Sequence, residues 1–211
     1  NYPAICAKKL LNREVDLALV PVVILPYLQE YHMITDYCIG ANGSVQTVCL
    51  YSNVPIQKVT SIFLDYQSKT SVALLKILLK EYWFLNPELK STRIGFEKKI
   101  VGSDAALVIG DRAFDLNAKY RYIYDLANIW KQMTGLPFVF ATWVSHKKLS
   151  ESFVLQFNKA LTWGLANVND ALELNVNYSS CKNPKHYLDN KISYNLDAEK
   201  LEGMNLFLKK I

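Results

Sequence analysis

VQTVCLYSNVP, residues 45–55, is a strand pattern closed by a proline: Val45, Thr47 and Cys49 alternate along one face and Val48 and Leu50 along the other. A polar lip containing two glycines, Gly40-Ala41-Asn42-Gly43-Ser44, leads into it. A second stretch of the same kind, FVFATWV at 138–144, opens behind the turn Thr134-Gly135-Leu136-Pro137. If both strands carry the chain between two lobes, residues 1–55 form the first part of one lobe and residues 56–136 an inserted second lobe. Residues 137–211 then return to the first lobe as a crossing strand followed by a helical tail. A cleft between two such lobes is the natural place for a ligand.

Working outward, the run Leu17 to Leu25 is apolar on both faces, which predicts a strand buried between helices and hence a parallel sheet. A short helix, AICAKKLLN at 4–12, precedes it, and the strand expected before that helix is missing from the sequence. Val59 to Tyr66 predicts another buried strand, running through QSKTS into the helix VALLKILLKEYW with Ser68 or Thr70 as its cap. That helix should end near Asn86-Pro87, because the residue before proline is pushed out of helical geometry. Strands are expected around Arg93 to Phe96, at AALVIGD (105–111) and at RYIYD (121–125), the last followed by the helix LANIWKQM. From Leu149 onward the pattern is helical, and the last helix carries an Asp197 cap with Leu196 and Leu201 placed as a hydrophobic staple. The fold class expected is α/β, two-lobed, with its first strand absent.

Composition narrows the function classes. Of the 211 residues, 51% are hydrophobic and 20% charged, enough apolar material for a core and unlike a disordered chain. The longest apolar stretch, Leu17 to Tyr27, contains two prolines and is far short of the roughly 20 residues that span a bilayer, so no membrane association is expected. The net charge of +5 comes from basic residues scattered in pairs such as Lys8/Lys9 and Lys147/Lys148, with no basic stripe for nucleic acid. Cys6, Cys38, Cys49 and Cys181 have neither C-x-x-C spacing nor disulfide-scaffold density and read as reduced thiols. His32, His146 and His186 lie apart from them, so no metal site is expected. N-x-S/T sequons at Asn42 and Asn177 carry no weight without a secretion signal.

Three segments could carry chemistry. In Gly40–Thr47, glycine freedom stands next to the amide of Asn42 and the hydroxyls of Ser44 and Thr47; the pattern suits close backbone approach to a ligand at Gly43, and equally an ordinary turn. In Asp65–Ser71, a strand end feeds a helix start rich in hydroxyls, Ser68, Thr70 and Ser71, as a carboxylate or phosphate cradle requires; plain capping would need only one of them. Asp111 sits at the end of another buried strand, facing either the cleft or a turn. Nucleophile-elbow, phosphate-loop, dinucleotide and zincin motifs are all absent.

Taken together, VDLALVPVV, GANGSVQTVCLYSNVP, LDYQSKTSVALLKILL, AALVIGD and TGLPFVFATWV resemble the chorismate dehydratases of the menaquinone-biosynthesis family (futalosine route). The resemblance implies a type II periplasmic-binding-protein-like fold working as a cytoplasmic enzyme with no cofactor. It also implies dehydration of chorismate to 3-(1-carboxyvinyloxy)benzoate. Members usually begin with a strand and a Tyr-Leu-Asn-Thr-like motif that this sequence lacks, and commonly carry serine where Ala41 and Thr47 stand here. The implied roles are catalytic contacts from Thr47 and Asp111, and substrate binding by Asn42, Gly43, Ser44, Ser68, Thr70 and Ser71. With few bases in the matched blocks, a substrate carboxylate is the expected acceptor of the C3 proton. The sister 1,4-dihydroxy-6-naphthoate synthase of the same pathway and a non-enzymatic carboxylate-binding protein are the competing expectations. An effector lobe pair of a transcription regulator would need a helix-turn-helix that the sequence does not supply.

Overall fold

The structure, a computed structural model, describes residues 3–174 and 181–211; the sequon at Asn177 lies outside them. The chain runs α1 (Pro3–Leu11), β1 (Leu17–Pro21), β2 (His32–Ala41), β3 (Val48–Ser52), β4 (Ser61–Leu64), α2 (Lys69–Glu81), β5 (Glu88–Ser91), β6 (Asp104–Ile109), β7 (Tyr122–Asp125), α3 (Leu126–Thr134), β8 (Phe138–Ser145), α4 (Glu151–Ala166), α5 (Val168–Leu174), α6 (Pro184–Asn190), β9 (Ser193–Asn195) and α7 (Ala198–Lys210). Its strands form two sheets, in the order β1-β8-β2-β9 and β5-β4-β6-β3-β7. Two α/β units, each built on its own sheet, follow from this division.

The first sheet is antiparallel throughout, Leu17 lying opposite Ser145 and Ala41 opposite Phe138. In the second sheet β4 runs parallel to both β5 and β6, while β3 is antiparallel to β6 and β7. The parallel sheet expected from Leu17–Leu25 is therefore corrected. The run does not continue as a strand: after Pro21 it tightens into a 3-10 turn, Val22–Tyr27, with Val22, Ile24 and Leu25 buried. A buried turn and a strand covered on both faces have the same composition, so hydrophobicity alone could not separate them.

The lobe boundary also moves. β3 pairs with β6 and β7, so it belongs to the second sheet and the first crossing falls at 42–47, before the strand rather than after Pro55. The expected division at 55/56 is replaced by one ahead of Val48, and the chain passes from α3 to β8 of the first sheet through Gly135–Pro137. The strand expected near Arg93 is instead Glu88–Ser91, and Phe96 opens a 3-10 turn behind a left-handed Gly95. β2, with bulges on either side of the Cys38–Ile39 pairing, has no clean alternation and was not legible in the sequence.

Local chemistry explains the helices that matter for the site. The Ser68 side chain caps α2 by accepting from the Ser71 N–H, and Leu74, Leu75, Leu78 and Leu79 are buried at 3.6-residue spacing. Asp125 caps α3 and Gly135 ends it in the left-handed conformation. Asp197 caps α7 as its sequence suggests. The core joins these pieces: Trp130, Phe138 and Phe207 meet edge to face at 5.1–6.3 Å, tying α3, β8 and α7 together. Each such pair contributes about 0.5–1.5 kcal/mol beyond the area it buries. Gly203 lets α7 lie directly on the second crossing, since a Cβ there would fall 2.2 Å from the Pro137 carbonyl oxygen.

Candidate functional site

Where the two sheets face each other, a cavity of about 260 Å³ opens between α1, β1, β2, the first crossing, the start of α2, the end of β6, β8 and α6. It lies just below the range of about 300–1,000 Å³ typical of small-molecule pockets. Leu19, Ile39, Val45 and Phe140 give it apolar walls, and Thr47, Ser68, Ser71 and Tyr187 set hydroxyls into them. Its ionisable lining groups, among the described residues, are Cys6 and Tyr187. A larger groove of about 700 Å³ runs between the start of β2, the first turns of α4 and the start of α7. It gathers none of the expected hydroxyls, and the one hydroxyl among its described lining residues, that of Thr35, is spent on Asn158, so the smaller cavity is the better candidate.

The α2 end of this cavity is a partly unspent hydrogen-bond array. Ser68 Oγ accepts from Ser71 N at 3.1 Å and donates to Ser71 Oγ at 2.8 Å, which leaves the Ser71 hydroxyl hydrogen over. The N–H groups of Lys69 and Thr70 lie in the first helical turn, where no intrahelical acceptor exists. A spare hydroxyl and free N–H groups at the positive end of a helix dipole suit a carboxylate. Thr70 is turned to a structural task, its hydroxyl donating to the Phe140 carbonyl at 3.4 Å.

The first crossing is held by a single carboxylate. Asp125 accepts from Ser44 Oγ at 2.8 Å and Gln46 N at 2.7 Å with one oxygen, and from the Ala127 and Asn128 N–H groups with the other. The bend takes Gly43 to φ 110° and Gln46 to φ 65°, the second a costly conformation for a residue with a side chain. Thr47 emerges from this bend into the cavity, its carbonyl accepting from Gly110 N at 2.9 Å.

The opposite wall depends on a buried ion pair. Asp65, its side chain fully buried, accepts from Gln67 N, Ile109 N and Arg112 Nη2 at 2.7–3.0 Å. Arg112 also reaches Glu97 at 2.6 Å and lies over the rings of Tyr66 and Phe96. Burial pushes the Asp65 carboxyl above the usual range, and the backbone and guanidinium bonds pull it back.

The structure thus brings Thr47, Ser68 and Ser71 together and leaves the other expected residues outside. Asn42 and Ser44 are exposed, Gly43 serves the bend, Thr70 braces β8, and Asp111 is exposed on the 3-10 turn after β6, beside the cavity-lining Gly110. Tyr187 was not anticipated. Its hydroxyl meets Thr47 Oγ1 at 2.6 Å, and its ring stands edge-on to Phe114 at 5.1 Å. Burial pushes its phenol up to about 12 against the lowering effect of the Thr47 bond. Nothing in the sequence marks it among 13 tyrosines, 140 residues from Thr47. Among the described residues no cluster of three His, Cys, Asp or Glu side chains could hold a metal, and no helix is long and apolar enough to cross a membrane.

A family model described as menaquinone biosynthesis matches residues 1–211. The chain is 28% identical over 232 residues to a chorismate dehydratase of Thermus thermophilus, covering 99% of this chain and 84% of that protein. It is 27% identical over 217 residues to a chorismate dehydratase of Campylobacter jejuni, covering 99% and 81%. Among solved structures, protein AF1704 of Archaeoglobus fulgidus superposes with a TM-score of 0.75 at 14% identity, over 100% of this chain and 83% of that one. The periplasmic aliphatic sulphonate binding protein SsuA of Escherichia coli does so with a TM-score of 0.58 at 14% identity, over 98% and 74%. At these identities the structural likeness shows the fold, a binding-protein-like pair of α/β units.

Proposed function

The chain belongs to the menaquinone-biosynthesis family, and from that membership we propose that it is a chorismate dehydratase, a carbon–oxygen lyase of the futalosine route. The observation that carries the reading is the cavity between the sheets. Its apolar walls suit a six-membered ring, and the N-terminus of α2, with a spare serine hydroxyl, suits a carboxylate. Removal of the C3 hydrogen and the C4 hydroxyl makes that ring aromatic, so the chemistry runs downhill once a base and a leaving-group acid are in place. Among the described residues the lining carries hydroxyls, a thiol and a phenol but no carboxylate or imidazole, which supports the substrate's own carboxylate as the base, oriented by the protein. Four free thiols fit a reducing compartment, and we place the protein in the cytoplasm.

The test is incubation with chorismate, followed by ultraviolet absorbance and mass. The aromatic enol-ether acid should appear with loss of one water, and Asp111→Asn should turn over like the parent. Binding without turnover by the folded protein would move the chain to the ligand-binding class. Loss of turnover in Asp111→Asn at unchanged affinity would replace the substrate carboxylate with a protein base.

A further inference from the structure

Hydroxide is a poor leaving group, so a dehydratase site needs a proton for the departing oxygen as well as an acceptor for the carbon-bound one. Among the described lining residues, Tyr187 and Cys6 alone carry an ionisable proton, and Cys6 enters from α1, whereas Tyr187 stands against the Thr47 hydroxyl at 2.6 Å. The Tyr187 side chain is fixed from three directions. The edge-on contact with Phe114 sets its ring, the Thr47 bond sets its hydroxyl, and α6 is started by Pro184 and by an Asn183 cap that accepts from His186 N at 3.0 Å. Ser68 and Ser71 offer the carboxylate seat in the same cavity, on α2.

We propose that Tyr187 is the acid that protonates the hydroxide leaving C4 of the substrate, an inference that rests on the dehydratase reading above. In this step the C3–H bond breaks, its electron pair forms the new ring double bond, and its proton goes to the substrate carboxylate. The C4–O bond breaks with its electron pair on oxygen, which takes the Tyr187 proton and departs as water. The phenolate then recovers the proton held by the substrate carboxylate, with Thr47 in place to pass it on. One hydrogen and one hydroxyl leave, and nothing is oxidised or reduced. Burial keeps the phenol protonated through the neutral range, yet at about 12 it remains a stronger acid than water, whose pKa is about 15.7, so the transfer is downhill.

The experiment compares the parent chain with Tyr187→Phe, which keeps the ring on Phe114, using chorismate and its 4-deoxy-4-fluoro analogue. Fluoride leaves without needing a proton. With chorismate, Tyr187→Phe should lose about 10²- to 10⁴-fold in kcat with little change in KM. With the fluoro analogue the two proteins should turn over alike. In the parent chain itself, a solvent isotope effect on kcat with chorismate should disappear with the analogue, a readout that does not depend on how the variant folds. Wild-type rates in Tyr187→Phe, or an equal loss on both substrates, would overturn the proposal. If the parent chain leaves chorismate unchanged, the dehydratase reading itself fails and takes this inference with it.

Discussion

Replacing Asp65 by Ala should cost about 2–4 kcal/mol of stability, because of what this carboxylate holds together at the cavity wall. Its two oxygens accept from Gln67 N, Ile109 N and Arg112 at 2.7–3.0 Å, inside a site where the side chain is fully buried. Removal strands two backbone N–H groups, each worth about 1–3 kcal/mol when left buried without a partner. Arg112 is affected less, since Glu97 at 2.6 Å and Gln67 at 3.0 Å still bind it and its side chain is 27% exposed. Against this stands the desolvation of a buried carboxylate, several kcal/mol, which the variant no longer bears. The balance is smaller than the sum of the lost bonds and smaller than the roughly 3–5 kcal/mol of breaking a fully buried pair. For a chain of this size it amounts to about 4–16 °C in Tm. Urea and thermal unfolding at pH 7 measure it directly. A loss under about 0.5 kcal/mol would show that desolvation cancels the whole array, and would refute the view that Asp65 braces the wall carrying Ile109 and Gly110.

Stability should also fall at alkaline pH. Burial lifts the Cys38 thiol from 9.0 to about 12 and the Tyr187 phenol from 10.0 to about 12, and raises Cys49 and Tyr51 as well. The folded state therefore keeps protons that the unfolded chain has already released, so this stability is complete below about pH 9 and is lost as pH rises toward 12, at up to about 1.4 kcal/mol per pH unit for each group. Urea midpoints level at about pH 7–8 and falling beyond about pH 9 are expected; a midpoint unchanged at about pH 10.5 would contradict the burial of these groups. Ser71→Ala, which removes the spare hydroxyl at the α2 terminus, should raise KM for chorismate by roughly 10- to 150-fold, the equivalent of about 1.5–3 kcal/mol for a hydrogen bond to a charged group. Thr70→Val should leave KM unchanged, since its hydroxyl serves the Phe140 carbonyl, and steady-state kinetics that failed to separate the two variants would remove the carboxylate from that helix end.

The parts of the fold written locally were the parts legible in sequence. The α2 cap at Ser68, the α7 cap at Asp197 and the Gly135 stop of α3 each depend on one side chain or one glycine next to the element it ends. Strand direction and sheet membership are set by distant partners and leave no such mark. Val48–Ser52 reads as a strand from its alternation, but only its pairing with β6 and β7 assigns it to the second sheet. For the same reason the buried turn at Val22–Tyr27 passed for a strand: both bury an apolar run, and the difference lies in whether the run goes on pairing with β8 beyond Pro21. β2 was missed because its polar Thr35 and Asp36 and its bulges break the two-residue period that reveals strands.

The candidate site divides along the same line. Ser68 and Ser71 could be expected from the sequence because a helix start needs hydroxyls whether or not a ligand comes, and the spare Ser71 hydrogen arises from the way the two serines satisfy each other. Asn42, Gly43 and Ser44 share the polarity of Thr47, yet the bend that delivers Thr47 to the cavity spends Ser44 on Asp125 and Gly43 on a left-handed turn. Polarity in a crossing segment thus marks the bend as readily as the ligand contact, and only geometry tells them apart. Tyr187 is the limiting case. It stands on α6, just ahead of β9 in the first sheet, and meets Thr47 and Phe114, which flank strands of the second. A residue whose neighbours come from the other unit has no local signal to give, so the hydroxyl pair that joins the two sides of the cavity is visible only once the chain has folded.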